Sequence, residues 1–260
     1  MSMHELLQWQ QFNNYVFQED IHTYFYEGRK VDTSVTTFIS RYFPEFDSET
    51  ISAKYAAKHG MTQEAVLAEW KRKGDISAIA GTAIHAWLEN AKRGKILRTD
   101  FGDAEKLGIL PEVEERYNIL LPKAQAFHRD TLGKLFPIHL EYTVGVEDFI
   151  AGNVDMLCWN EHAQEVQIWD YKNVKELSRT NSYGNMCKFP FHNYYDCSFI
   201  HYCIQLNFYK AIIYKVLGIR IGKCYLVHFD YTKNDDSFEI VPCLDLMDVC
   251  KKELDKHCIR

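Results

Sequence analysis

The sequence predicts a three-layer α/β fold, in which helices flank a central mixed β-sheet and a helical region precedes it. Three observations predict it. Residues 35–94 and 111–132 carry helical patterning, residues 136–172 switch to short β-rich runs, and an apolar helix over 199–217 leads into a further strand. The 260 residues are 47% hydrophobic and 25% charged, the balance of a folded chain, and are enough to bury a core without disulfides. With 13 Gly and 6 Pro, collagen-like and low-complexity classes are excluded.

Taken in order, HTYFY, EGRK as a turn and VDTSVTT predict a hairpin over residues 20–36. The helical stretch from Val35 to Gly94 is expected to break at Pro44, Gly60 and Gly74, with Asp47 or Ser48 capping one segment, while Thr62, with Ala65 three residues on, lacks the full capping box. A helix follows from Pro111 to Leu132, then strands over 137–146, 149–159 and 165–172. The helix over 199–217 ends at Gly218 as its C-cap, KCYLVHFDY supplies a strand, and EIVPCLDL is its expected partner.

The net charge is −6, which argues against a chain that coats nucleic acid by bulk attraction and still permits a local basic track. Such a track is visible between Ile51 and Asp100, where nine cations (Lys54, Lys58, Lys71, Arg72, Lys73, Lys92, Arg93, Lys95, Arg98) face five acids. Tyr42, Phe43, Tyr55 and Trp70 are interleaved near it, suited to stacking on unpaired bases, although a charge run is ordinarily a solvated helix face. The N-terminus shows neither a signal peptide nor a transit peptide, and the apolar run Tyr202–Ile219 is interrupted by Gln205, Asn207, Lys210 and Lys215. A soluble protein of the cytoplasm, or of a host cell's cytoplasm, with no membrane partner is expected. Eight cysteines, all after residue 157 and without a CxxC, fit reduced and mostly buried thiols.

The chemistry concentrates in AGNVDMLCWNEHAQEVQIWDYKN. A turn near His162 and Ala163 places Asp155 directly across from Asp170, with Lys172 on the same face two residues on. A preceding turn near Glu147 places Glu141 opposite Asn153, beside Asp155. Paired carboxylates cannot both ionise cheaply without a cation, so the patch predicts a hard divalent ion, Mg²⁺ or Mn²⁺, with Lys172 steadying a water or phosphate charge. A one-residue slip in either turn carries part of the set to the other face.

GNVD followed by WDYK resembles the GxxD…DxK core of the PD-(D/E)XK nuclease superfamily. GTAIH resembles the GxxxH motif of its RecB-like branch, and QLNFY the QxxxY motif, all in the family's order between residues 81 and 209. SVTTFISRYFPEFD and FPFHNYYDCSFIHYCIQLNFY are similar to segments of phage-type and mitochondrial genome maintenance exonucleases.

The resemblance implies a restriction-endonuclease-like core over 79–260, preceded by a hairpin and helical DNA-guiding region over 1–78. It implies a metal-dependent DNA exonuclease acting on single strands or DNA ends in replication, recombination or repair. His85, Glu141, Asp155, Asp170 and the Tyr171 carbonyl would bind one or two ions, and Lys172, Gln205 and Tyr209 would complete the catalytic group. By residue type alone, His85 on an apolar helix border reads as a core histidine, and Gln205 with Tyr209 as a hydrogen-bonded core edge. Thr36, Arg41, Lys54, Lys58, Arg72 and Lys73 are the expected DNA contacts. Some RecB-like relatives hold an iron–sulfur cluster on one early and three late cysteines. The early one is missing here, so no cluster is expected. The competing expectation is an inactive DNA-binding or assembly subunit on the same fold.

Overall fold

The computed structural model describes residues 9–18, 21–95 and 97–258. The first residue of the expected hairpin, Asp20, and the eight N-terminal residues read for a leader lie outside them.

Strands β1 (Tyr15–Gln18), β2 (Thr23–Tyr26) and β3 (Arg29–Lys30) form a small antiparallel sheet. The β2–β3 turn is Glu27-Gly28, both at positive φ (48° and 77°), the geometry that joins two antiparallel strands most tightly. The hairpin is therefore shorter than expected. Thr33–Ser34 (β4) leaves it for the main sheet, and VTT starts helix α1 (Val35–Ser40), because the Ser34 hydroxyl takes the Thr37 N–H at 3.0 Å.

Helix α2 (Ser48–His59) is capped by Asp47 and closed by Gly60 at φ 65°. Helix α3 (Gln63–Lys92) begins on the Thr62 cap and runs 30 residues through Gly74, where the sequence predicts a break. An interior glycine costs about 1 kcal/mol of propensity. Burial of Ile76, Ala80, Ala83, Ile84 and Leu88 against helix α4 (Leu110–Asp130) outweighs it. The expected domain boundary after residue 78 thus falls inside one continuous helix.

The main sheet continues with β5 (Phe136–Val146), β6 (Ile150–Asn160), β7 (Glu165–Lys172), β8 (Ile221–His228) and β9 (Glu239–Pro242). Helix α5 (Ser198–Leu217) precedes β8 and ends on Gly218 at φ 70°. The chain closes with α6 (Met247–His257), which the patterning does not predict; its charge-rich run buries only Cys250, Glu253 and Leu254. The six-stranded sheet is mixed: β4–β6 and β7–β8 are parallel, the other neighbours antiparallel.

Two cores sandwich this sheet. Helices α1, α5 and α6 cover one face with Phe38, Ile204, Phe208, Ile212 and Leu254 against Val154, Ile168 and Leu226. Helices α3 and α4 cover the other with Ile84, Leu120 and Phe127 against Met156, Trp169 and Val227. The result is a three-layer α/β arrangement. No helix among the described residues is long and apolar enough to cross a membrane.

A break in the ladder positions the site. Strand β6 pairs with β5 along its length, but β4 joins it only at Ile150–Ala151 and β7 only from Met156 onward. Between those two neighbours the ladder is open over Gly152, Asn153, Val154 and Asp155. That gap is the GNVD segment.

Candidate metal centre

The β6–β7 register is the expected one: Met156 faces Trp169, so the next position carries Asp155 across from Asp170. Here ladder bonding stops, and the Asp155 carboxylate itself takes the Tyr171 N–H at 2.8 Å. The β5–β6 register differs from expectation. Leu140 faces Met156 and Tyr142 faces Val154, which sets Glu141 against Asp155 rather than Asn153. The turn centres one residue later than its sequence suggests, because Glu147 adopts φ 44° and Phe149 N–H bonds Val146 C=O. The shift by itself keeps parity, but Glu141 at φ 48° interrupts the alternation, with Leu140 in one core and Tyr142 against the other, and its side chain still reaches the acids.

Helix α3 brings His85 to the same place, its Nδ1 3.4 Å from Asp155 Oδ2 and 3.9 Å from Glu141 Oε1. His85, Glu141 and Asp155 each offer a ligand atom within 4.8 Å of the others. The His85 ring stands at 90° to the Tyr171 ring and meets the Tyr171 backbone carbonyl. The glycine of GTAIH has a local reason: a Cβ at Gly81 would lie 3.3 Å from Asn173 Nδ2, just past the β7 end.

Asp170 lies beside this group rather than in it. Its Oδ2 is 2.6 Å from Lys172 Nζ, and Lys172 Nζ sits 4.7 Å over the Tyr202 ring of α5. Gln205 Nε2 donates to the Tyr209 hydroxyl at 2.9 Å, and the buried Tyr209 ring packs at Gly152. The expected catalytic residues therefore converge on the β6 gap from α3, β5, β6, β7 and α5.

The electrostatics are those of a site short of positive charge. Burial, then Asp155, Glu89 and Asp170, push the Glu141 carboxyl up to about 9. Burial raises Asp155, and burial raises Asp170 to about 6 despite Lys172. Burial together with Lys172 depresses His85 to about 4. Burial opposes the Lys172 charge, but Asp170 and Asp155 outweigh it and lift the ammonium to about 12. One lysine faces three carboxyl groups, so a dication is the complementary charge.

Sequence reasoning missed one participant, Tyr24 of β2. Its hydroxyl lies against the Asn153 backbone N–H, a donor that the gap leaves without a ladder partner, and it faces Glu141 and Asp155. Nothing in the local sequence of an N-terminal hairpin signals that contact, which exists only because β4 threads into the main sheet.

The expected DNA contacts do not form one open basic face. Arg72 is ion-paired with Glu112, and Lys73 with Glu69 at 2.5 Å. Arg93 pairs with Glu89 at 2.6 Å, and Lys92 binds the Leu132 and Leu135 carbonyls. Arg41 lies 4.0 Å over Phe38, and Thr36 shares a 2.9 Å hydroxyl bond with Ser34. Lys54 and Lys58 stand exposed on α2. Of the interleaved aromatics, Tyr42 is buried against Phe208 and Phe43 stacks on His201, so neither is open to bases. Tyr55 and Trp70 cluster with exposed Phe46 instead.

No protein-family model matches the chain, and a search of curated proteins finds no match.

Proposed function

We propose that the chain is a metal-dependent deoxyribonuclease, an exonuclease that hydrolyses phosphodiester bonds on single strands or at DNA ends in replication, recombination or repair. The observation that carries this reading is the convergence of His85, Glu141 and Asp155 within 4.8 Å, beside the Asp170–Lys172 pair, where the β6 ladder opens.

The donor set fits Mg²⁺ or Mn²⁺: two carboxylates suit either hard ion, and the imidazole favours Mn²⁺. His85, Glu141 and Asp155 would hold it, with Asp170 and the Tyr171 carbonyl as the adjoining oxygens. Bound there, the ion would polarise the scissile phosphate and lower the pKa of the attacking water. Lys172 keeps its charge, fixed by Asp170 and backed by Tyr202, and is placed to steady negative charge on the reacting phosphate. Gln205 anchors Tyr209, which forms the floor under Gly152 and so holds the gap in shape.

The test compares wild type, Lys172→Ala and Asp155→Asn on end-labelled single- and double-stranded DNA with Mg²⁺, Mn²⁺ or EDTA. Metal-dependent degradation by wild type alone is expected, and resistance of circular substrates would identify exonuclease action. Equal degradation by all three proteins would reject the site. Binding without degradation would point to an inactive DNA-binding or assembly subunit.

A further inference from the structure

We infer that Asn153 is a positioning residue for Glu141, holding that carboxylate toward His85 and Asp155. The inference rests on the proposed metal site and adds a residue to it. Glu141 sits mid-strand at φ 48°, a left-handed backbone that a non-glycine residue keeps only when its surroundings hold it there. This local turn breaks the regular alternation of β5 and aims the side chain at the β6 gap.

Asn153 supplies the hold. Its Nδ2 donates to Glu141 Oε2 at 2.6 Å, while the other oxygen, Oε1, is the one that faces His85 Nδ1 at 3.9 Å. The amide is itself oriented, because Thr143, directly across the ladder, donates its hydroxyl to Asn153 Oδ1 at 3.3 Å. That bond leaves the NH₂ end to the carboxylate. Thr143, Asn153 and Glu141 thus form a directed chain that ends on a candidate ligand oxygen.

Groups that orient a ligand in this way typically change metal affinity by about 10–100-fold when removed. Mn²⁺ binding, read by electron paramagnetic resonance and calorimetry, is compared for the full-length wild type, Asn153→Ala, the near-isosteric Asn153→Leu, and Glu141→Gln, alongside melting in EDTA. The expected result is Mn²⁺ affinity reduced roughly 10-fold or more in both Asn153 variants, with little change in metal-free melting. Affinity within about twofold of wild type in both variants overturns the inference. Weakening in Glu141→Gln alone overturns only the role of Asn153, whereas absence of binding by wild type overturns the metal site and the inference together. Should the Asn153 variants fail to fold, Thr143→Val decides: a smaller loss in the same direction supports the chain, and unchanged affinity overturns it.

Discussion

Gly152 and Tyr209 are packed so closely that a Cβ at residue 152 would lie 2.6 Å from Tyr209 Cε1 and 3.2 Å from its hydroxyl. Two short motifs more than fifty residues apart are therefore one physical contact. The glycine of GNVD is needed because the tyrosine of QLNFY occupies the space its side chain would take.

Gly152→Ala is expected to destabilise the protein by about 1–3 kcal/mol, the usual cost of overpacking. Part of that loss should be recovered in a Tyr209→Leu background, which removes the outer ring atoms and hydroxyl. Chemical denaturation of the four proteins in a double-mutant cycle measures the coupling. Strict additivity would mean that the two residues do not touch as described.

The Glu141 carboxyl, raised to about 9 by burial and then by Asp155, Glu89 and Asp170, makes metal-free stability depend on pH. Its ordinary value is 4.5, so between the two the folded chain holds a proton that the unfolded chain has released, and stability falls as pH rises. His85, depressed from 6.5 to about 4, acts oppositely but only below pH 6.5. Asp170, raised to about 6, contributes mainly below the same point. Melting in EDTA should therefore decline from pH 6.5 to 9, less steeply in Glu141→Gln. The stabilisation by Mn²⁺ should grow over that window, since binding requires the deprotonated carboxylate. Equal slopes in the two proteins would remove Glu141 from the account.

Lys172 is a structural partner of Asp170 whatever its proposed chemical role. Asp170 is 1% exposed and its Oδ2 is 2.6 Å from the ammonium, so truncating Lys172 strands a buried carboxylate. Lys172→Ala should cost about 3–5 kcal/mol as well as activity. The double variant Asp170→Asn/Lys172→Met should regain much of the stability and none of the activity. Denaturation midpoints together with nuclease assays separate the two effects, and a single variant as stable as wild type would show that the pair is not buried.

The exposed lysines of α2 and the paired arginine of α3 should behave differently towards DNA. Replacing both Lys54 and Lys58 by Ala should weaken single-strand binding and reduce the salt slope by roughly 0.7 for each phosphate that is no longer neutralised. Arg72→Ala should leave that slope nearly unchanged, because its guanidinium is already held by Glu112. Fluorescence anisotropy across a salt series makes the comparison, and a larger slope change in Arg72→Ala would reverse the assignment.

Most strand and helix patterning and the caps at Asp47 and Gly218 are local properties, and those were legible in the chain itself. The span Glu165–Lys172, the Gly218 cap and the Asp155–Asp170 register follow from nearest neighbours along the sequence. The grouping of Asp155 and Asp170 with Lys172 was legible for the same reason, whereas the place of Glu141 was not, since its φ of 48° interrupts the alternation of β5. What tertiary structure alone decided is how distant segments compete for the same space and the same hydrogen bonds. Gly74 reads as a helix end until α4 buries the residues beyond it, and Arg72 reads as free until Glu112 of α4 neutralises it. The open segment of β6, with Tyr24 set against the Asn153 backbone, exists because β4 and β7 each claim only part of one edge. Such long-range contacts leave no periodicity behind, because their energy depends on residues that meet only after the chain has folded.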